Sequence, residues 1–213
     1  MARITLQDSE ARRLLNGGIV TLVTTSWHGT ENVAPVIWHT PLSVQPPLIG
    51  IAVHPSRHTH DMIKFSEQFA LNIPSIKLMK HAHYTGLVSG ADVGKMEELR
   101  LPTIKAQAIQ APLLDFCLGW IECGLEDALR LGDHTFFVGR VAAISVDDEA
   151  FDGVWKLDDP DLRPLHYIGG PFYGALAERV EAVLDRAEPE SGDEEGAPVP
   201  PGGRDRDGER EER

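Results

Sequence analysis

The sequence predicts a mainly β domain, a barrel or sandwich, with helices on its periphery. Three observations carry this expectation. Strand-like runs rich in β-branched and aromatic residues outnumber helix-like runs. The two kinds do not alternate strictly, as a parallel α/β fold would require. With 213 residues, 42% of them hydrophobic, the chain can bury one large core.

In chain order, Asp8 is placed to cap a short helix from Ser9 to Leu15, which Asn16-Gly17-Gly18 would end. Ile19 to Thr25 reads as a strand, Trp27-His28-Gly29-Thr30 as a turn, and Asn32 to His39 as the returning strand of a hairpin. Pro46-Pro47 introduces Leu48 to Val53, a short apolar run that suits a buried central strand. A helix over about Thr59 to Ser66 then leads to a strand, Phe69 to Ile73, stopped by Pro74. Lys77 to Thr85 looks helical, and Gly86 to Gly94 reads as a loop.

Two long β runs follow, Leu113 to Leu125 and Thr135 to Val146, joined across Gly132-Asp133. Tyr173 to Ala187 has the apolar spacing of an amphipathic helix, with Leu176, Val180, Val183 and Leu184 on one side. From Glu188 the composition shifts to Glu, Asp, Gly, Pro and Arg. The expected organisation is therefore one domain over 1–187 and a disordered acidic tail, rich in Pro and Gly, over 188–213.

Charge narrows the function classes. The chain carries −13 overall; the tail holds ten acidic and four basic residues, a net of −6, which leaves −7 on the rest. A nucleic-acid surface needs a basic face to displace counterions, and an anionic membrane also favours basic protein. Neither partner is expected. The start of the chain lacks the apolar core of a signal peptide, and no apolar run approaches the ~20 residues of a membrane span. Cys117 and Cys123 have neither a zinc nor a redox spacing and read as buried thiols. The expected location is cytoplasmic.

Four constellations could carry chemistry. Ser56, Arg57 and Thr59 stand at a strand-to-helix junction, and Ser89, Gly90 and Lys95 in a later loop. A helix start offers unpaired N–H groups and partial positive charge, and a guanidinium adds a fork that matches phosphate oxygens. The competing reading is that Arg57 and Lys95 are ordinary surface charges and Thr59 a helix cap. The second constellation is Asn32-Val33-Ala34-Pro35 with Trp38-His39-Thr40-Pro41-Leu42-Ser43. Proline at a strand edge limits pairing, so the backbone nearby could bind the polar edge of a planar heterocycle, with Trp38 close to it. A turn with a core tryptophan is the alternative.

Gly132-Asp133-His134, running into Gly139-Arg140-Val141, is the third; its histidine could equally be a cap or a surface residue. The fourth is Leu165 to Tyr173, which combines aromatic and imidazole groups with Gly169-Gly170: a lid over an aromatic ligand, or a packed linker. Nine histidines do not make a metal site, because His81 and His83 would face different sides of a helix and no carboxylate or cysteine set completes a coordination sphere. No P-loop, dinucleotide glycine fingerprint or Gly-x-Ser-x-Gly elbow is present.

Taken together and in this order, these segments resemble the flavin reductase-like proteins, in their flavoredoxin-like branch, over about Leu14 to Glu178. The motifs that carry the resemblance are Asn32 to Pro35, Pro46-Pro47-Leu48, Arg57-His58-Thr59, Phe69 to Pro74, Ser89-Gly90 with Lys95, Gly132-Asp133-His134 with Gly139-Arg140-Val141, and His166-Tyr167 to Gly170. The resemblance implies an FMN-binding split β-barrel and a homodimer with FMN near the subunit interface. It implies that Arg57, Thr59, Ser89 and Lys95 hold the phosphate, in a pocket that includes Ser56 and Gly90. Thr40, Pro41, Leu42 and Ser43 would lie along the isoalloxazine through backbone contacts, with Asn72 near the ribityl or phosphate end. His134 falls in a motif linked to nicotinamide binding, and His166 and Tyr167 would border the flavin.

Two departures stand out. Asn16-Gly17-Gly18 occupies the place of a proline-containing turn, and Ala91 replaces a residue that is often basic. The implied activity is that of an FMN-dependent oxidoreductase: NADH or NADPH passes hydride to the flavin, and the electrons go on to an acceptor, a partner protein or a flavin-dependent monooxygenase. An FMN-binding electron carrier without its own nicotinamide site, and a haem binder on the same barrel, are the rival readings; the Arg57/Lys95 pair favours FMN over haem.

Overall fold

A computed structural model describes residues 3–182 of the chain. The acidic tail, 188–213, and the last part of the expected terminal helix lie outside the described residues.

A 3-10 turn, Asp8–Glu10, runs into a four-residue helix, α1 (Ala11–Leu14). The cap expected at Asp8 is not made; Gln7 holds that position without a side-chain bond. Strands β1 (Thr21–Trp27) and β2 (Thr30–Val36) form a hairpin across His28-Gly29, whose φ angles of 49° and 79° suit a tight two-residue turn. The strand expected to continue to His39 breaks at Ile37-Trp38, and a separate strand, β3 (His39–Ser43), follows. Next come β4 (Leu48–Val53), α2 (His58–Ser66) and β5 (Gln68–Ile73).

Helix α3 (Met79–Leu87) lies two residues further along than the expected Lys77 to Thr85, and a short helix, α4 (Lys95–Glu98), follows the 88–94 loop. The expected strand from Leu113 is interrupted. Strand β6 (Thr103–Ile104) pairs with β7 (Leu113–Leu114), a turn at 115–118 redirects the chain, and β8 (Gly119–Leu131) begins only after it. β9 (His134–Val146) returns across the expected Gly132-Asp133 turn. Small hairpins complete the order: β10 (Phe151–Asp152) with β11 (Val154–Trp155), and β12 (His166–Gly169) with β13 (Phe172–Gly174).

Among the described residues, seven strands form one antiparallel sheet in the order β2-β1-β5-β8-β9-β4-β3. Its end strands are not paired with each other, so the sheet is open rather than a closed barrel. The mainly β architecture with peripheral helices is as the sequence implies. Alternation along β1 sends Leu22 to one apolar cluster, with Val33, Leu78, Ala82 and Met96, and Val23 to another, with Ile51, Ile63, Phe69 and Phe137. Helices α3 and α4 thus cover one face and α2 the other. At Gly139 a Cβ would stand 2.6 Å from the Phe69 ring, so β9 needs a glycine there.

The terminal helix is the clearest correction over the described residues. Tyr173 pairs with Tyr167 in a hairpin, and 175–182 form no regular element. Leu176 and Val180, which suggested an apolar helix face, are 52% and 84% exposed and have no core to cover. Cys117 and Cys123 are free and buried, and burial pushes both thiols up, Cys123 to about 12. No helix among the described residues is long and apolar enough to cross a membrane.

Candidate functional site

A cleft of about 640 Å³ opens between the end of β2, the β4–α2 junction, the C-terminal end of α3 with the 88–90 loop, and the β12–β13 hairpin. Its volume lies within the ~300–1,000 Å³ range of small-molecule and cofactor sites.

One end is cationic. Arg57 sits at the N-cap of α2 in extended conformation, and no side chain caps that helix. The nine-residue helix therefore directs free N–H groups and its positive dipole end into the cleft. Arg57 is exposed and has no carboxylate partner among the described residues. Thr59 is not the helix cap; it lies inside the first turn, 3% exposed, and its Oγ1 accepts a 2.9 Å bond from Asn32 Nδ2. That donation leaves the Thr59 hydroxyl proton free to donate elsewhere.

Lys95 supplies the second charge. Only 4% exposed, it donates from Nζ to Thr85 O at 2.6 Å and to Val33 O at 3.1 Å, and it too lacks a carboxylate among the described residues. Burial, and secondarily the Arg57 guanidinium, lowers its ammonium to about 8 from an ordinary 10.5. A buried cation held only by carbonyls is poised for an anion.

Gly90 lies between these groups. A Cβ there would stand 2.1 Å from Asn32 Oδ1 and 3.0 Å from His58 Cδ2, so only glycine fits. Asn32 Oδ1 and His58 Nε2 are both buried without a hydrogen-bond partner. Gly90 is therefore held against Asn32 and His58 by close contact, and His58, which lines the cleft, keeps Nε2 without a protein partner.

The other end is apolar and aromatic. Ala34, Pro35, Val36, Ile37 and Trp38 form one wall, and Tyr167 and Tyr173 another. Strand β2 is the edge of the sheet, so its outer backbone groups have no strand partner. Gly86 of α3 permits this wall to pack close, since a Cβ there would meet Pro35 Cγ at 2.9 Å. His134 packs against Trp38 with ring centroids 4.7 Å apart, and its Nδ1 bonds Asp133 Oδ1 at 2.7 Å. That bond holds the Asp133 carboxyl below its usual range. His54 stands edge-on to His134 at 5.2 Å. Its Nδ1 accepts the Ser56 N–H, which leaves Nε2 to carry the proton of the neutral ring.

Of the residues singled out from the sequence, Ser56, Arg57, Thr59, Ser89, Gly90, Lys95, His134 and Tyr167 line this one cleft. Thr40, Pro41, Leu42 and Ser43 do not. They form the outer edge strand β3, paired to β4, while Trp38 and the end of β2 line the cleft. Asn72 is fully buried inside the sheet, where Nδ2 bonds Leu22 O and Thr24 Oγ1 and Oδ1 accepts the Leu114 N–H. Its bonds are made within the protein, away from the cleft. His166 also lies outside the lining; its Nδ1 bonds Gly17 O at 2.7 Å. Asn32 acts behind the lining, through Thr59. His58 and Tyr173, which stood in the quoted motifs without a role, also line the cleft, and His54 and Thr85 are lining residues the sequence reading did not assign to it.

The molecule is thus a mainly β protein in which an uncapped helix start and two cations face an aromatic wall across one cleft. The chain belongs to the flavin reductase like domain family, which matches it over residues 14–175. It is similar to the uncharacterized protein YddH of Escherichia coli, with 30% identity over 84% of this chain and 97% of that one. Among solved structures it resembles an FMN-binding protein from Thermus thermophilus, with a TM-score of 0.75 and 25% identity over 86% of this chain and 99% of that one. The flavoredoxin of Methanosarcina acetivorans shares the fold, with a TM-score of 0.75 and 24% identity over 87% and 97% of the two chains. A shorter stretch, 49% of this chain and 43% of the relative, is 30% identical to the stachydrine N-demethylase reductase subunit Stc3 of Rhizobium meliloti.

Proposed function

We propose that this protein is an FMN-dependent oxidoreductase that takes hydride from NADH or NADPH and passes electrons to an acceptor. The observation that carries the reading is the convergence of Arg57, Lys95 and the start of α2 at one end of a cleft whose other end is aromatic. The residues fit FMN. Two uncompensated cations suit a phosphate dianion, Thr59 has a free hydroxyl proton, and His58 Nε2 is buried without a protein partner.

Each wall has its own task. Arg57 and Lys95 neutralise the phosphate and fix one end of the cofactor. The free backbone edge at Ala34 to Val36 hydrogen-bonds the heterocycle's polar rim, while Trp38 and Tyr167 pack against its faces and exclude water. His134, oriented by Asp133, borders the donor side and positions the nicotinamide. Bound FMN would supply the redox chemistry, accepting hydride and releasing electrons. No side chain is needed as a nucleophile.

The same reading takes residues 1–187 as the functional domain, the active form as a homodimer with FMN near the interface, and the cytoplasm as its location. Likeness to a reductase subunit supports a partner enzyme as the acceptor. Purified protein should be yellow and release FMN; a colourless protein that ignores added FMN contradicts the reading. Stopped-flow mixing with NADH or NADPH should bleach the flavin. Bleaching by neither would make the protein an electron carrier without its own nicotinamide site.

A further inference from the structure

A second, smaller cavity of about 220 Å³ adjoins the cleft and shares Ile37, Trp38 and Tyr167 with it. Its remaining boundary is Arg12, Leu15 and the Asn16-Gly17-Gly18 loop, the segment that departs from the family's usual turn. The loop is clamped to β12. Gly17 N–H donates to Tyr167 O at 2.7 Å, Tyr167 N–H to Gly18 O at 3.1 Å and Asn16 Nδ2 to Ile168 O at 3.2 Å, and His166 Nδ1 bonds Gly17 O. These bonds preform the cavity. Gly17, at φ 116°, takes a backbone conformation that favours glycine. Arg13 is paired with Glu10, whereas Arg12 has no carboxylate among the described residues.

Size and lining restrict the occupant. The cavity is smaller than the ~300 Å³ at which drug-sized pockets begin, so it suits a single small ring and not a dinucleotide. Leu15, Ile37, Trp38 and Tyr167 favour a flat apolar body, and one unpaired guanidinium favours a carboxylate, which it can grip through two parallel N–H···O bonds. We propose that this cavity is the acceptor subsite and takes a small planar organic acid whose ring carries a group reducible by two electrons and two protons, with the ring against Trp38 and Tyr167 and the carboxylate on Arg12; benzoate is its non-reducible analogue. The acceptor role rests on the flavin reading above; the binding itself does not. The shared wall puts the acid next to whatever fills the cleft.

The test is calorimetric titration of the full chain with benzoate and, separately, with benzamide, in the absence and presence of FMN. Benzoate should bind about tenfold or more tightly than benzamide, the scale of one charge-assisted hydrogen bond. Arg12→Gln should lower benzoate to the benzamide level, Arg12→Lys should restore part of the preference, and FMN affinity should not change in either. Benzoate should also bind alongside FMN and shift its visible absorption. Equal affinity for the two ligands, no benzoate binding, or displacement of benzoate by FMN would overturn the subsite. A protein that prefers benzoate through Arg12 but never takes FMN keeps the acid site and loses the flavin reading, so the two failures are separable.

Discussion

Asn32 Nδ2 donates to Thr59 Oγ1 at 2.9 Å, tying edge strand β2 to the first turn of α2 inside the protein. The bond fixes the direction in which the Thr59 hydroxyl can donate. Asn32→Ala removes it and leaves Thr59 Oγ1 buried without that partner. The expected cost is about 1–3 kcal/mol, read as a lower urea midpoint with an unchanged slope. FMN affinity should fall as well, while a variant that unfolds like the parent would show that the bond contributes nothing.

Gly90 offers a more local test. Gly90→Ala puts a Cβ 2.1 Å from Asn32 Oδ1, so the 88–90 loop must shift away from the phosphate end. FMN binding should weaken about tenfold or more, by equilibrium titration. Gly94→Ala is the control, since its Cβ would meet nothing nearer than Glu97 Oε2 at 3.6 Å, and it should bind FMN as the parent does. Equal behaviour of the two variants would remove Gly90 from the site.

Lys95 gives the protein a pH signature. Its folded value of about 8 lies below its ordinary 10.5, so between these limits the unfolded chain binds more protons than the folded one. Stability of the FMN-free protein should therefore rise as pH increases from about 8 to 10.5, with the full penalty of the buried charge present below 8. Lys95→Met should flatten that slope in unfolding curves taken across the range. FMN affinity should move the opposite way, falling as the ammonium loses its proton.

In the sheet, Gly139→Ala would set a Cβ 2.6 Å from the Phe69 ring and 2.9 Å from Cys123 Cβ. Overpacking of this kind costs about 1–3 kcal/mol. Gly124→Ala meets nothing within 4 Å and should stay within about 0.5 kcal/mol of the parent in chemical denaturation.

How much of this was legible from the sequence depended on how local the signal was. The β4 run, the His28-Gly29 turn and the Gly132-Asp133 turn are set by short-range chemistry and fall where the residue pattern put them. Arg57 and Thr59 were readable because one strand-to-helix junction carries both. Thr40 to Ser43 lie on the separate strand β3, outside this cleft, because the chain breaks at Ile37-Trp38, a change of strand that no alternation of apolar residues announces. Asn72 finds its partners on β1 and on Leu114, 42 residues away, which spacing cannot foretell. The terminal helix failed for the converse reason: its apolar residues had the right period but no surface to bury against.

The central claim is that the Arg57 end of the cleft holds a flavin phosphate. Its most direct test is to measure FMN and riboflavin affinities for the parent and for Arg57→Ala. Only FMN offers a phosphate, so FMN should weaken about tenfold or more while riboflavin stays unchanged. Equal losses for both flavins, or none for either, would contradict the assignment.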